Sequence, residues 1–179
     1  WTCKINLIAP NTIDSIWERH ILDSLQLWQF APESLAHLVD LGSGAGFPGI
    51  VMAIAAQERQ PQAQFTLIES DQRKATFLRT AARELSLPVK VLATRIEDAP
   101  PQKADVVSAR ALAPLSTLLG QVAKHLTPNG TALLPKGRQA SAEIADAQNH
   151  WRFALEDHAS FTDPEARILV IQRIEPLAN

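Results

Sequence analysis

The stretch Val39-Asp40-Leu41-Gly42-Ser43-Gly44-Ala45-Gly46-Phe47-Pro48-Gly49 constrains this chain more than any other. Its apolar lead, Leu38-Val39, reads as a strand ending at Asp40-Leu41, and Ile50-Val51-Met52-Ala53-Ile54-Ala55-Ala56 reads as a helix. Strand, tight glycine turn and helix make the first crossover of a nucleotide-binding α/β sheet. Glycine serves there because the backbone turns through positive φ and approaches a ligand closely, and a Cβ obstructs both. Such a crossover calls for an acidic residue roughly 20–30 positions on, to receive ribose hydroxyls. Glu69 answers to it, at the end of Phe65-Thr66-Leu67-Ile68.

The glycine spacing is G-x-G-x-G, whereas dinucleotide sites use G-x-G-x-x-G, although Gly49 allows a stretched match. Asp40 stands two residues before the first glycine. A carboxylate at that point repels a pyrophosphate and attracts the ammonium group of S-adenosylmethionine. The expected cofactor is therefore S-adenosylmethionine in preference to NAD. A glycine-rich turn with no ligand is the plainer alternative, and three glycines, a strand-end acid and Glu69 in register weigh against it.

A length of 179 residues suits one domain with a sizeable core. The expected division is an N-terminal helical part over 1–37 and a Rossmann-like core over 38–179. Hydrophobic residues at 46% and charged ones at 20% are ordinary for a soluble globular protein. No apolar run approaches the ~20 residues of a membrane span, and no signal peptide opens the chain, so a cytoplasmic location without membrane association is expected. The single cysteine, Cys3, excludes an intrachain disulfide framework, and five scattered histidines without ligand spacing point to no metal site. A net charge of -2 argues against a surface coated for bulk nucleic-acid binding, yet permits a local basic face. The chain opens at Trp1 as though mid-element, which suggests a longer N-terminus.

Asn11 or Thr12 is placed to cap a helix in which Ile13, Ile16, Trp17, His20, Ile21, Leu25 and Trp28 share one face. His20 in that apolar stripe reads as a packed histidine, and His20 and Asp23 are expected to brace the N-terminal helix against the pocket. After the glycine turn come a helix to about Gln57, a strand over 65–68, a helix over 72–85 capped by Asp71 or Ser70, and a strand over 89–92. A strand over 104–108 delivers Arg110 to its carboxyl end. A helix over 115–126 follows, stopped by Thr127-Pro128-Asn129-Gly130, then a strand over 131–134 leading to Lys136-Gly137. A polar helix over 140–149 and strands over 151–155 and 167–174 complete the chain. This alternation predicts a doubly wound α/β sheet. The closing helix and two neighbouring strands suit the seven-stranded class I methyltransferase sheet better than a dehydrogenase. Ligands in open α/β sheets bind outside the carboxyl ends of strands. Asp40, Glu69, Ile96-Glu97, Arg110 and Lys136 all fall there.

The motifs Asn6-Leu7, Arg19-His20-Ile21-Leu22-Asp23-Ser24, the glycine stretch, Ser108-Ala109-Arg110-Ala111 and Lys136-Gly137, in that order, resemble the bacterial 16S rRNA guanine-N7 methyltransferase family known as glucose-inhibited division protein B. The resemblance covers nearly the whole chain. It implies transfer of a methyl group from S-adenosylmethionine to N7 of guanine 527 in the 530 loop of 16S rRNA, with the small ribosomal subunit as partner. By motif it implies that Gly42 and Phe47 line the cofactor at the first turn, where the glycine turn and its acidic partner also place Gly44 and Glu69. It also implies that Ile96 and Glu97 flank the adenine and that Arg110 stands at the junction of cofactor and substrate. Two departures stand out: the family's N-terminal helical extension is short here, and its usual N-L-T reads Asn6-Leu7-Ile8.

Guanine N7 carries a lone pair and no proton, so its methylation needs no general base. Proximity and orientation then carry the catalysis, which fits a chain with no evident catalytic carboxylate, cysteine or histidine set. Arg110, as the catalytic candidate, can donate to guanine O6 or a phosphate; Lys136 and Arg95 are the candidates for holding RNA. A salt bridge from Arg110 to Asp40 or Glu97, a solvated Lys136, and pairing of Arg95 with Glu97 or Asp98 are the structural alternatives. A class I methyltransferase acting on a small molecule, a non-catalytic cofactor-binding ribosome-assembly protein and, more distantly, a NAD oxidoreductase are the competing functions.

Overall fold

The computed structural model describes residues 5–177; Trp1 and Cys3 lie outside that range. Seven strands form one sheet: β1 (His37–Leu41), β2 (Gln64–Ile68), β3 (Val89–Leu92), β4 (Ala104–Ala109), β5 (Leu126–Lys136), β6 (Trp151–Ala159) and β7 (Arg167–Pro176). Their order is β3-β2-β1-β4-β5-β7-β6. The first five run parallel, and β7 lies antiparallel to both β5 and β6. This is the seven-stranded doubly wound sheet expected from the alternation of strands and helices.

Both faces of the central parallel strands β1, β2 and β4 are covered, which is why they read as mostly apolar runs, whereas the edge strand β3 exposes Lys90. Side chains alternate across a strand, so Leu38 and Val106 enter one core while Val39, Leu41 and Val107 enter the other. The first core is closed by helices α2 (Gly49–Arg59) and α3 (Gln72–Glu84), through Met52 and Leu78, and by Leu27 from the N-terminal part. The second is closed by α4 (Leu115–His125) and α5 (Ala140–Ala147), through Leu118, Val122 and Ala147. Asp71 caps α3, its Oδ1 accepting from Arg73 N at 2.8 Å and Lys74 N at 3.2 Å, the usual remedy for the unpaired first amides of a helix.

Two local expectations need correction. The N-terminal helix is not one α-helix but a π-helical segment Trp17–Leu22, a short α1 (Asp23–Leu25) and a 3-10 segment Gln26–Phe30. A stripe drawn at 3.6 residues per turn drifts off a helix that winds more loosely and then more tightly. Trp17 is 67% exposed, Ile13 and Leu25 are exposed too, and Ser24, Gln26 and Leu27 are buried instead. The second correction concerns Thr127 to Gly130, which does not separate helix from strand. Leu126 pairs with Ala104, and Thr131 with Val106, so the intervening residues bulge out of a longer β5.

Candidate active site

The glycine turn leaves β1 with Gly42 at φ 64°, Gly44 at 54° and Gly46 at 87°. At Gly42 the left-handed backbone is what favours glycine, and a Cβ would also displace the end of the Leu112 side chain, whose Cδ1 would lie 2.6 Å away. Asp40 is 0% exposed. Its Oδ1 accepts from Ser108 Oγ at 2.8 Å and its Oδ2 from Gly49 N at 3.3 Å. A Cβ at Gly49 would run into that carboxylate and Leu67, so glycine there is what admits the contact. Burial pushes the Asp40 carboxyl up to about 6, against the opposing pull of Ser108, Ser43 and Gly49. The expectation that Asp40 faces a ligand ammonium is therefore corrected. It ties β1 to β4 and to the start of α2.

A cavity of about 330 Å³ opens beyond the carboxyl ends of β1, β2 and β3. Gly42, Gly44, Glu69, Ile96 and Glu97 line it together, and so do Lys74, Thr94, Leu112 and Gln121. Glu69 is buried, with Oε2 accepting from Gly44 N and Oε1 from Asp71 N, both at 2.8 Å. Each carboxylate oxygen retains a second lone pair, so hydroxyls can still be received. The turn bearing Ile96 and Glu97 is fastened to α4: Lys124 Nζ donates to Glu97 O at 2.5 Å, and His125 Nε2 to Ile96 O at 3.4 Å. Burial lowers the His125 pKa, which keeps the ring neutral. Glycine walls, a carboxylate at the strand end and an apolar Ile96 fit a ribosyl-adenine group.

A second cavity, of about 510 Å³, lies across Leu112 from the first; Arg19, Asp23, Arg110, Lys136, Thr162 and Asp163 are among its walls. Leu112 lines both. Arg110 is held by the N-terminal part. Its Nη1 donates to Arg19 O at 3.2 Å and to Asp23 Oδ2 at 3.4 Å, and its Nη2 donates to His20 Nδ1 at 3.0 Å. His20 Nε2 in turn pairs with Thr12 Oγ1 at 2.9 Å. Burial foremost, then the Arg110 charge, lowers the His20 pKa, while Asp23 pulls it up; a neutral ring is what accepts from Arg110. The Asp23 carboxylate is anchored from behind, Oδ1 accepting from Thr162 Oγ1 at 2.8 Å and Gln26 Nε2 at 2.9 Å. Phe47 lines neither cavity. Its ring stacks on His20, centroids 5.1 Å apart, and lies 5.4 Å from Arg110 Cζ, a cation–π distance.

Arg110 thus pairs with Asp23 in place of the alternatives Asp40 and Glu97, and the bracing expected of His20 and Asp23 runs through its guanidinium. Lys136 is neither solvated nor loosely poised: its side chain is 9% exposed. Its Nζ donates to Glu143 Oε2 at 2.7 Å and Ala113 O at 2.8 Å. The same Glu143 oxygen accepts from Leu115 N at 2.8 Å, the first amide of α4. Arg95 is exposed, sits on the rim of the smaller cavity and pairs with Glu97 at 3.7 Å. Leu112 and Gln121 carried no sequence signal, since each reads as an ordinary member of a loop or helix.

The family model for rRNA small subunit methyltransferase G (GidB) matches residues 1–169. A ribosomal RNA small subunit methyltransferase G from Cereibacter sphaeroides is 54% identical over 174 residues, covering 97% of this chain and 84% of that protein. One from Paracoccus denitrificans is 52% identical over 172 residues, covering 96% and 87%. Among solved structures, a SAM dependent methyltransferase from Aquifex aeolicus superposes with a TM-score of 0.65 at 14% identity, covering 92% of this chain and 97% of that one; that likeness concerns the fold. Match length and identity together place the chain in the rRNA small subunit methyltransferase G family, enzymes that methylate small-subunit rRNA with S-adenosylmethionine.

Proposed function

We propose that this chain methylates N7 of guanine 527, in the 530 loop of 16S rRNA, within the small ribosomal subunit in the cytoplasm, acting as a single domain over 1–179. The observation that carries this reading is the pair of cavities meeting at Leu112, one walled by Gly42, Gly44 and Glu69 and the other by Arg110. In this reading the smaller cavity holds S-adenosylmethionine, whose sulfonium supplies an electrophilic methyl group. Glu69 receives the ribose hydroxyls, Gly42 and Gly44 admit the backbone close to the ligand, and Ile96 and Glu97 flank the adenine.

The larger cavity takes the guanine, which must be splayed out, since N7 in an RNA duplex faces a deep and narrow groove. Arg110 has five N–H donors and spends part of them on Arg19, Asp23 and His20. The rest donate to guanine O6 or a flanking phosphate. No residue needs to remove a proton from N7, and alignment of the lone pair with the methyl group supplies several kcal/mol of the barrier reduction. Arg95, on the exposed rim, contacts RNA phosphates. Lys136 acts on the substrate indirectly, by holding the loop after β5 against α5.

The test is methyl transfer from labelled S-adenosylmethionine to 30S subunits lacking their native methylations, followed by nucleoside analysis. The label is expected in N7-methylguanosine. Label in another nucleoside would overturn the assignment of N7, and no transfer to any RNA would favour the non-catalytic reading.

A further inference from the structure

Glu143, near the start of α5, is part of the wall of the larger cavity. One of its carboxylate oxygens is fully engaged: Oε2 accepts from Lys136 Nζ at 2.7 Å and from Leu115 N at 2.8 Å, which takes both of its lone pairs. The other, Oε1, accepts from no group among the described residues. It is not closed off from solvent either. The enclosed side-chain atoms without a partner among those residues are Gln121 Oε1 and His125 Nδ1, and the Glu143 side chain is 23% exposed. An acceptor with two free lone pairs is thus held in the cavity wall by its fixed twin. The other carboxylates of that wall are engaged elsewhere. Asp23 accepts with both oxygens, from Arg110, Thr162 and Gln26, and Asp163 caps its own turn through Glu165 N.

Leu115, which Glu143 holds, is three residues beyond Leu112, the wall that the two cavities share. The chain between them spans about 10 Å at most, so the open oxygen lies within reach of a base seated against Leu112. In guanine, N7 and N1 lie on either side of O6. With N7 turned to the methyl donor beyond Leu112, N1–H points away from it, into the larger cavity. We propose that Glu143 selects guanine, its Oε1 accepting from N1–H on the Watson–Crick edge of the splayed base. The proposal rests on the reading of the larger cavity as the guanine site and adds to it the residue that tells guanine from adenine. Adenine N1 is itself an acceptor, so the same oxygen would face a lone pair and reject that base. Lys136 keeps its indirect part, fixing Oε2 so that Oε1 is left for the base.

The experiment is single-turnover methyl transfer to 30S subunits reconstituted with guanine, 2-aminopurine or 1-methylguanine at the target position. In 2-aminopurine N1 is an acceptor and O6 is missing; 1-methylguanine keeps O6 and the amine and lacks N1–H. The wild-type chain is expected to act on guanine about tenfold or more faster than on either analogue, as a site built around a donor rejects a base without it. Glu143→Gln separates recognition from bracing. Lys136 Nζ and Leu115 N both donate, so the amide oxygen takes the place of Oε2 and the amide nitrogen that of Oε1: the brace persists, and the open acceptor becomes a donor. In this variant the preference for guanine over 2-aminopurine is expected to shrink about tenfold or more. Any contact of Arg110 with O6 is common to both chains and cancels, and both substrates meet the same preparation, so the ratio does not depend on the fraction folded. Equal slowing on guanine and 2-aminopurine would reduce Glu143 to a structural part and overturn its role in selection. Full transfer to 1-methylguanine by the wild-type chain would do the same without any variant. Failure of the wild-type chain to methylate N7 of the target guanine would overturn the reading of the cavity as a guanine site, and the role of Glu143 with it.

Discussion

A carboxyl group closed off from water, as at Asp40, carries a pH signature of its own. Its folded pKa, about 6, lies above the ordinary 3.8, so the folded state binds the proton more tightly than the unfolded chain. The stability this contributes is complete below about pH 4 and is lost as pH rises through about 6. At about 1.4 kcal/mol per pH unit, the loss amounts to about 3 kcal/mol. Asp40→Asn removes that titration. Urea denaturation at pH 4 and at pH 7 is expected to show the variant gaining about 3 kcal/mol on the wild type between the two. A constant difference across that range would mean that Asp40 is not buried as described. The wild type keeps this burial because the two carboxylate oxygens join Ser108 on β4 to Gly49 at the start of α2, fixing the turn that bears the glycines.

Among the elements, the N-terminal helical part and the segment after β4 are coupled through one guanidinium. Asp23 and His20 reach Arg110 from successive helical segments of different pitch, and Thr162 and Gln26 hold Asp23 in place. Asp23→Asn is expected to slow methyl transfer about tenfold or more in single-turnover assays, with S-adenosylmethionine affinity changed less than about threefold. Denaturation should show about 1–2 kcal/mol of stability lost with the charge-assisted bond. Unchanged turnover would detach the brace from function. What the sequence made legible at this scale follows from physics that acts locally. The glycine turn, the strands buried on both faces and the Asp71 cap each declare themselves through backbone conformation or periodicity. The π-helical winding did not, because a 3.6-residue stripe assumes the pitch it is meant to reveal. Nor did the Arg110–Asp23 pair or the Lys136–Glu143 pair, since both join residues whose proximity depends on how elements pack. Gln121 stayed hidden for a simpler reason: a glutamine on a helix reads as solvated until the cavity beside it is seen.

At the scale of the molecule, strand order places two cavities on one edge of the sheet. The glycine turn after β1 and the carboxyl end of β2 build one, and the loops after β4 and β5 build the other. Leu112, packed over Gly42, separates them, and Arg110 stands beside it, oriented by the N-terminal part. This arrangement predicts that one base is presented at one point to one methyl group. The direct test is to map modification after incubating under-methylated 30S subunits with S-adenosylmethionine, using chain cleavage at N7-methylguanine and primer extension across the whole 16S rRNA. A single stop at guanine 527 in the 530 loop, lost with Arg110→Ala, is the predicted result. Stops elsewhere, or full modification by Arg110→Ala, would contradict it.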